Sequence, residues 1–309
     1  MNGIRTKLSV MMFLQFFTAG CIMPVFSLYL KQDLNFTGTQ IGLILAMSAV
    51  PSFLSPVIGA FVADRLISAE RLLSICNFAG AAVMGALFMQ KTFYPVLFFY
   101  LLYGLIAGPT FGLTKAITFH HSTDGTKTFG GIRLWGTLGW FTAAWVFSFF
   151  CIDSRSSGKD GDLHNTLLLA ALTLFLSGIY SMTLPVGLKR KNDRVALIPK
   201  DSLSVMVLPD ILILSVLCLV ITFVDRFYTF GGAPYLKSLG FSDKSIMPVL
   251  SIGQIPEVIG LAFLGLILKK AGLKKTLLIG TGFEIARFAF FLIPDNKYLL
   301  FSGISLHGL

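Results

Sequence analysis

Gly59-Ala60-Phe61-Val62-Ala63-Asp64-Arg65, followed by Arg71-Leu72-Leu73, returns in weaker form as the stretch from Gly265 to Ala271 followed by Lys275-Thr276-Leu277-Leu278. In each copy an apolar segment ends on small residues, a charged turn follows, and a second apolar segment begins. A faint internal echo of this kind marks a chain assembled from two similar structural repeats. The surroundings say which kind of chain. Of 309 residues, 55% are hydrophobic and only 13% charged, about half the charge that soluble domains carry. Mean hydropathy is +0.79, too high for a globule that water must cover. Thirty Phe exceed what one compact core would hold, whereas lipid solvates them. Soluble enzymes and nucleic-acid binders are excluded in spite of a formal net charge of +10. The expected fold class is an all-α polytopic membrane protein.

A crossing needs ~20 mainly apolar residues. Hydropathy and turn signals predict spans near 8–30, 40–63, 72–90, 95–119, 130–152, 165–187, 207–234, 245–268 and 274–293, with a tenth starting near Tyr298. About nine and a half of twelve helices are then expected, and a half-span ending in lipid would leave carbonyls unsatisfied. The chain reads as incomplete at its C-terminus. The longest polar stretch, 188–206, contains Lys189, Arg190, Lys191, Arg194 and Lys200. It divides a six-helix bundle at 1–187 from an incomplete second bundle at 207–309. The loops on the side of the N-terminus carry about twice the Lys and Arg of the opposite loops, which puts the N-terminus in the cytoplasm. The 188–206 segment is thus a cytoplasmic linker near anionic lipid heads, not a nucleic-acid patch. Cys21, Cys76, Cys151 and Cys218 show no CxxC spacing and suggest neither disulfides nor a metal site.

Two parallel six-helix repeats joined by a basic loop is the layout of major facilitator superfamily transporters. The Gly59–Asp64–Arg65 loop resembles that superfamily's hallmark motif, in which a helix end and charges latch the cytoplasmic side. Pro24, Pro51, Pro56, Pro109, Pro234 and Pro256 interrupt spans, each removing one helical bond. Gly104, Gly108 and Gly112 form a small-residue stripe that suits close helix approach.

Charge inside a span is costly and is kept for function or for pairing. Arg133, Thr137 and Trp140 share one face of the fifth span. A guanidinium, a hydroxyl and a large ring together suit a polar, planar solute; alternatively Arg133 snorkels to the cytoplasmic end and Trp140 packs. In the eighth span Gln254 and Glu257 share a face beside Pro256. Keeping a carboxylate ionised in an apolar helix is unfavourable, which suits Glu257 to gain and lose a proton; a structural pairing with an Arg is the other reading. Asp225 and Arg226, being adjacent, point about 100° apart and partner different helices. Glu284 and Arg287 are spaced as an internal ion pair. Gln15 is a buried amide that cross-links helices or faces the pathway. Lys115, His120 and His121 are read as a solvated helix end.

Phe13-Leu14-Gln15-Phe16, Ala63-Asp64-Arg65-Leu66-Ile67-Ser68-Ala69-Glu70, Ile132-Arg133-Leu134-Trp135-Gly136-Thr137-Leu138-Gly139 and Gln254-Ile255-Pro256-Glu257 together resemble the nucleoside:proton symporter family of that superfamily. The resemblance implies that Arg133, Thr137, Gln254 and Glu257 contact a nucleoside's ribose and base, with Trp140 stacking on the base. It places Arg226 and Thr229 where the family presents two amides, a departure that fits a different or anionic solute. Glu257 and Asp225 are the candidate proton-coupling groups. The implied activity is proton-coupled import of nucleosides across the inner membrane by alternating access, with no cofactor beyond the proton and no enzymatic reaction. Expected partners are a small nucleoside-like solute and membrane lipid, with no nucleic acid, and the chain is read as a monomer. A sugar or aromatic-acid permease of the same superfamily, or a truncated chain that transports nothing, are the alternatives.

Overall fold

A computed structural model describes residues 2–121, 126–152, 163–186, 208–293 and 296–307. The linker at 188–206 lies outside the described residues, as do the side chains of Pro56, Asp64 and Lys127. Every regular element among the described residues is helical. The first crossing is α1 (Asn2–Ile22) and α2 (Phe26–Gln32), broken at Pro24; the second is α3 (Gly38–Ala46) and α4 (Ala49–Arg65). The third to sixth are α5 (Ala69–Phe88), α6 (Phe93–His120), α7 (Thr126–Val146) with a widened π-turn at Phe147–Cys151, and α8 (Asn165–Ser181). The second half holds α9 (Pro209–Ser238), α10 (Asp243–Ser251), α11 (Gln254–Phe291) and α12 (Lys297–Ser305).

The helical stretch from Asp243 to Phe291 is 49 residues. At 1.5 Å per residue that is roughly 74 Å, more than twice the ~30 Å hydrocarbon core, so it divides into two crossings. The division is at Gly272, whose φ of 75° and ψ of 167° no helix contains. That is where the repeat places its second turn: Arg65 closes α4 in the first half, and Gly272 breaks α11 in the second.

Two helix pairs are in close contact because glycine removes the side chain between them. A Cβ on Gly139 of α7 would collide with the Phe13 carbonyl of α1, and one on Gly20 would lie 3.0 Å from Trp140 Cα. Between α4 and α6, Gly59 faces Pro109, Gly104 faces Pro51 and Gly108 faces Ser55; a methyl group on any of the three glycines would come within 3 Å of the facing residue. The expected glycine stripe is therefore only partly used. Gly112 meets nothing within 4 Å, because it has turned past the line of contact with α4.

The prolines divide into two kinds. The chain breaks at Pro24 and just before Pro51 and Pro256, but Pro109 and Pro234 sit inside the continuous helices α6 and α9. Pro248, inside α10, behaves the same way. Each of these three frees the carbonyl four residues back, and each freed carbonyl is taken by a serine of a facing helix. Ser55 donates to Leu105 O at 3.4 Å, and Ser27 donates to Phe230 O. Ser148 donates to Lys244 O. The last two bonds join the two halves of the chain.

Those bonds belong to a larger asymmetry. One buried cluster contains Val25, Leu28 and Phe147 from the first half with Ala233, Ile246 and Ile304 from the second. The other, at the end bearing the N-terminus, contains Leu8, Met12, Leu73, Ile117 and Ile132 and draws on the first half alone. Among the described residues the halves are packed together at the end away from the N-terminus. Toward the N-terminal end they part around a chamber.

Candidate functional site

α7 forms one wall of the chamber. Its contact with α1 fixes the rotation of the helix, so Arg133, Thr137 and Trp140 look inward on successive turns. Gly136 supplies room: a Cβ there would sit 2.9 Å from Arg133 Nη1. The guanidinium instead lies over the Phe16 ring, 4.1 Å from its centroid, a cation–π contact that partly offsets its lost hydration. The opposite wall comes from α9, with Asp225, Arg226 and Thr229, and from the start of α11, with Gln254 and Glu257. Lys115 and Phe111 of α6, Phe16 and Met23 of the first crossing and His307 complete the lining of a cavity of about 460 Å³. That is within the usual size range for small-ligand sites.

One contact chain crosses between the halves. Arg133 Nη1 donates to Thr137 Oγ1 at 3.3 Å, and the Thr137 hydroxyl donates to Glu257 Oε1 at 3.4 Å. Arg133 Nη2 lies 3.9 Å from the same carboxylate oxygen. These are long contacts, and a solute hydroxyl or carbonyl can enter them. Of the two readings open for Arg133, this excludes snorkelling. Glu257 does pair with an Arg, but inside the chamber. Gln254 is almost fully buried. Trp140 lines the cavity, with its backbone against Gly20.

Behind α9 lies a second polar group. Arg287, 1% exposed, pairs with Glu284 as its spacing predicts and lies 4.3 Å from the Tyr228 ring centroid. Its Nη1 is 2.6 Å from His307 Nδ1, and Asp225 Oδ1 is 4.0 Å from that same nitrogen. A guanidinium only donates, so His307 Nδ1 is the acceptor. Asp225 therefore lies beside His307, in the turn after α12, without a proton on Nδ1 to share with it. Gln15 Nε2 donates to Thr110 Oγ1 at 2.8 Å, cross-linking α1 and α6.

The solvated helix end read from Lys115, His120 and His121 is corrected in two places. Lys115 opens onto the chamber. His121 is half-buried, with Nε2 3.1 Å from Pro185 O and 3.7 Å from Glu70 Oε1, because the chain after α8 returns beside the start of α5. Nothing in the local sequence signals that long-range neighbour. Of the three latch residues, Gly59 packs on Pro109, and the Arg65 guanidinium lies 4.8 Å from the Phe61 ring centroid. The Asp64 side chain lies outside the described residues.

Two helical halves joined at one end, with a charged chamber between them, define a polytopic membrane carrier of major facilitator architecture. A crystal structure of the nucleoside transporter NupG superposes with a TM-score of 0.82 at 23% identity, covering 100% of this chain and 79% of that one. A D-xylose-proton symporter follows at 0.71 and 13%, covering 99% and 79%; at these identities the likeness concerns the fold. The sequence profile described as nucleoside H+ symporter matches residues 1–309, and the chain belongs to that family. Its relatives include a putative nucleoside transporter, YegT, of Escherichia coli K12, 30% identical over 98% of this chain and 72% of the relative. A xanthosine permease of the same organism is 25% identical over 95% and 72%.

Proposed function

We propose that this chain imports nucleosides with protons across the cytoplasmic membrane by alternating access. The single observation that carries the reading is Glu257. A carboxylate from one half is held by Thr137 and Arg133 of the other, inside the chamber and within reach of any solute there. Ionised, Glu257 competes for the Arg133 guanidinium and for the Thr137 proton. Protonated, it releases both, and they turn to a ribose hydroxyl or a base carbonyl. Proton and solute uptake are thereby coupled through shared donors. Loss of the proton to the cytoplasm restores the Arg133–Glu257 attraction and expels the solute. Gln254 adds an amide that both donates and accepts, and Trp140 offers a ring on which a base stacks.

The excess of Lys and Arg in the loops on the N-terminal side supports placing that side in the cytoplasm. The structure is then open inward, with the outer end held by the serine–carbonyl bonds. The Gly59–Asp64–Arg65 turn lies at the inner end, where a latch would act. The relatives named as nucleoside transporters support the substrate class.

The test is uptake of labelled uridine into cells or proteoliposomes containing this chain, with and without a protonophore. Accumulation should collapse when the gradient is removed. In Glu257→Gln it should fall to equilibration while binding persists. Uptake indifferent to both would sink proton coupling. Stabilisation of the purified protein by sugars or aromatic acids but by no nucleoside would overturn the substrate class.

A further inference from the structure

The charged chamber is not the whole cavity. A second space of about 310 Å³ opens between α1, α4 and α6, lined by Thr18, Tyr100 and Tyr103 among others, and it shares Met23, Phe111 and Arg226 with the first. Arg226 is the charged residue common to both spaces. Its guanidinium is exposed to the cavity and makes no hydrogen bond or ion pair among the described residues. Lys115 in the first chamber is likewise without an ion pair among them. The chamber lining holds three fixed cations, Lys115, Arg133 and Arg226, against two carboxylates, Asp225 and Glu257. Glu257 already attracts Arg133, and Asp225 lies beside His307. A cation at this depth is retained for a partner; with no ion pair to it among the described residues, a solute that brings acceptors would supply one.

We propose that Arg226 reads the outer edge of the solute's base and makes the carrier selective for 6-oxopurine nucleosides such as inosine and guanosine. The inference rests on the nucleoside reading of the chamber. A guanidinium presents two parallel N–H groups. The O6 and N7 atoms of a 6-oxopurine are two adjacent acceptors on one edge, and a guanidinium pairs with them in bidentate fashion. Adenosine carries an amino donor in place of O6, so one guanidinium N–H faces another donor. Uridine has an isolated carbonyl on its corresponding edge and lacks N7. The second chamber adds the room a bicyclic ring needs beyond the space that holds ribose against Arg133, Thr137, Gln254 and Glu257. Its tyrosine rings give that ring system an aromatic surround.

The experiment is equilibrium binding of inosine, adenosine, uridine and inosine monophosphate to the purified chain in lipid nanodiscs. Inosine is expected to bind roughly tenfold or more tightly than adenosine, the discrimination that one bidentate guanidinium contact provides. In Arg226→Gln that ratio should fall to about twofold or less while uridine binding changes little. Arg226→Lys, which keeps the charge without the fork, should restore only part of it. Equal affinity for inosine and adenosine in the parent protein, or a ratio unchanged in Arg226→Gln, would overturn the proposal and leave the nucleoside reading standing. Tighter binding of the monophosphate than of inosine would assign the cation surplus to a phosphate and would also overturn it. Failure of all four to bind would remove both readings together. The parent ratio needs no variant, so a misfolded Arg226→Gln cannot shelter the idea.

Discussion

The two walls of the chamber are held in different ways. In the most apolar window of the first crossing, 72% of residues are buried inside the protein; along α9 the figure is 6%. Arg133 and Thr137 stand on α7, which exposes Trp135 and Leu138 but is seated glycine-to-backbone against that first crossing. Arg226 and Thr229 stand on α9, which bears exposed Ile213, Leu219 and Phe227 along its length, and Glu257 on α11, which exposes Ile259 and Phe263. A membrane helix gains little by hiding apolar side chains from lipid, so its position is set by close packing and polar links. Among the described residues the first wall has both in quantity, and the second is joined to the first half by a few bonds at the end away from the N-terminus. On the proposed function, that difference would let the first wall hold the solute's donors in place while Glu257 on the second answers to them.

Four substitutions, two of them set against a control on the second wall, would break or sharpen that contrast. The largest effect is expected from Gly139→Leu, which drives a side chain into the Phe13 carbonyl; the fold should be lost, a destabilisation of about 4 kcal/mol or more, the range of gross overpacking. Gly265→Leu, where a Cβ meets nothing within 4 Å, should leave melting temperature and monodispersity unchanged. A carrier that tolerated Gly139→Leu would show that the first wall is no stiffer than the second.

Next comes Arg133→Leu. Removing a charged donor from the chamber should weaken nucleoside binding by about 1.5–3 kcal/mol, or roughly 10- to 150-fold, by isothermal titration. Thr229→Ala on the opposite wall should change it less than about fivefold, since its hydroxyl already donates to Asp225 O at 2.9 Å and a neutral bond contributes about 1 kcal/mol. Thr110→Val is third. It leaves the Gln15 amide without its acceptor in a buried place, at a cost of about 1–3 kcal/mol, read as a drop in thermal stability. The smallest effect is expected from Ser27→Ala, which forfeits about 1 kcal/mol at the seam away from the N-terminus. Its signature is faster labelling of cysteines introduced beside Phe230, with little change in melting temperature.

Much of this architecture is legible in the residues themselves. Hydropathy places the crossings, since a long run of apolar residues without polar interruption is more than a water-facing helix tolerates. The helical spacing of Arg133, Thr137 and Trp140 puts them on one face, and the spacing of Glu284 and Arg287 pairs them. What one-dimensional spacing does not contain is the partner across space. Glu257 meeting Thr137, Asp225 meeting His307 and His121 meeting Pro185 each depend on how two distant helices are set against each other. Lys115 escapes a sequence reading because its neighbours His120 and His121 mark a helix end, while one turn further in the same helix faces the chamber. The paired serines and prolines are equally hidden: Ser27, Ser55 and Ser148 are ordinary serines in sequence until the freed carbonyl opposite each is seen.

Those carbonyls have a consequence for any parting of the halves at the end away from the N-terminus. A helical carbonyl released by proline has no backbone donor to return to. When Ser27 and Ser148 withdraw, Phe230 O and Lys244 O must find water or remain unsatisfied at a cost of several kcal/mol in a hydrocarbon setting. Under the alternating access proposed above, opening would be an act of wetting as much as of rotation, with water reaching the seam before a solute. On the proposed alternating-access reading, that step should slow under osmotic stress, as measured by the rate of solute exchange at reduced water activity.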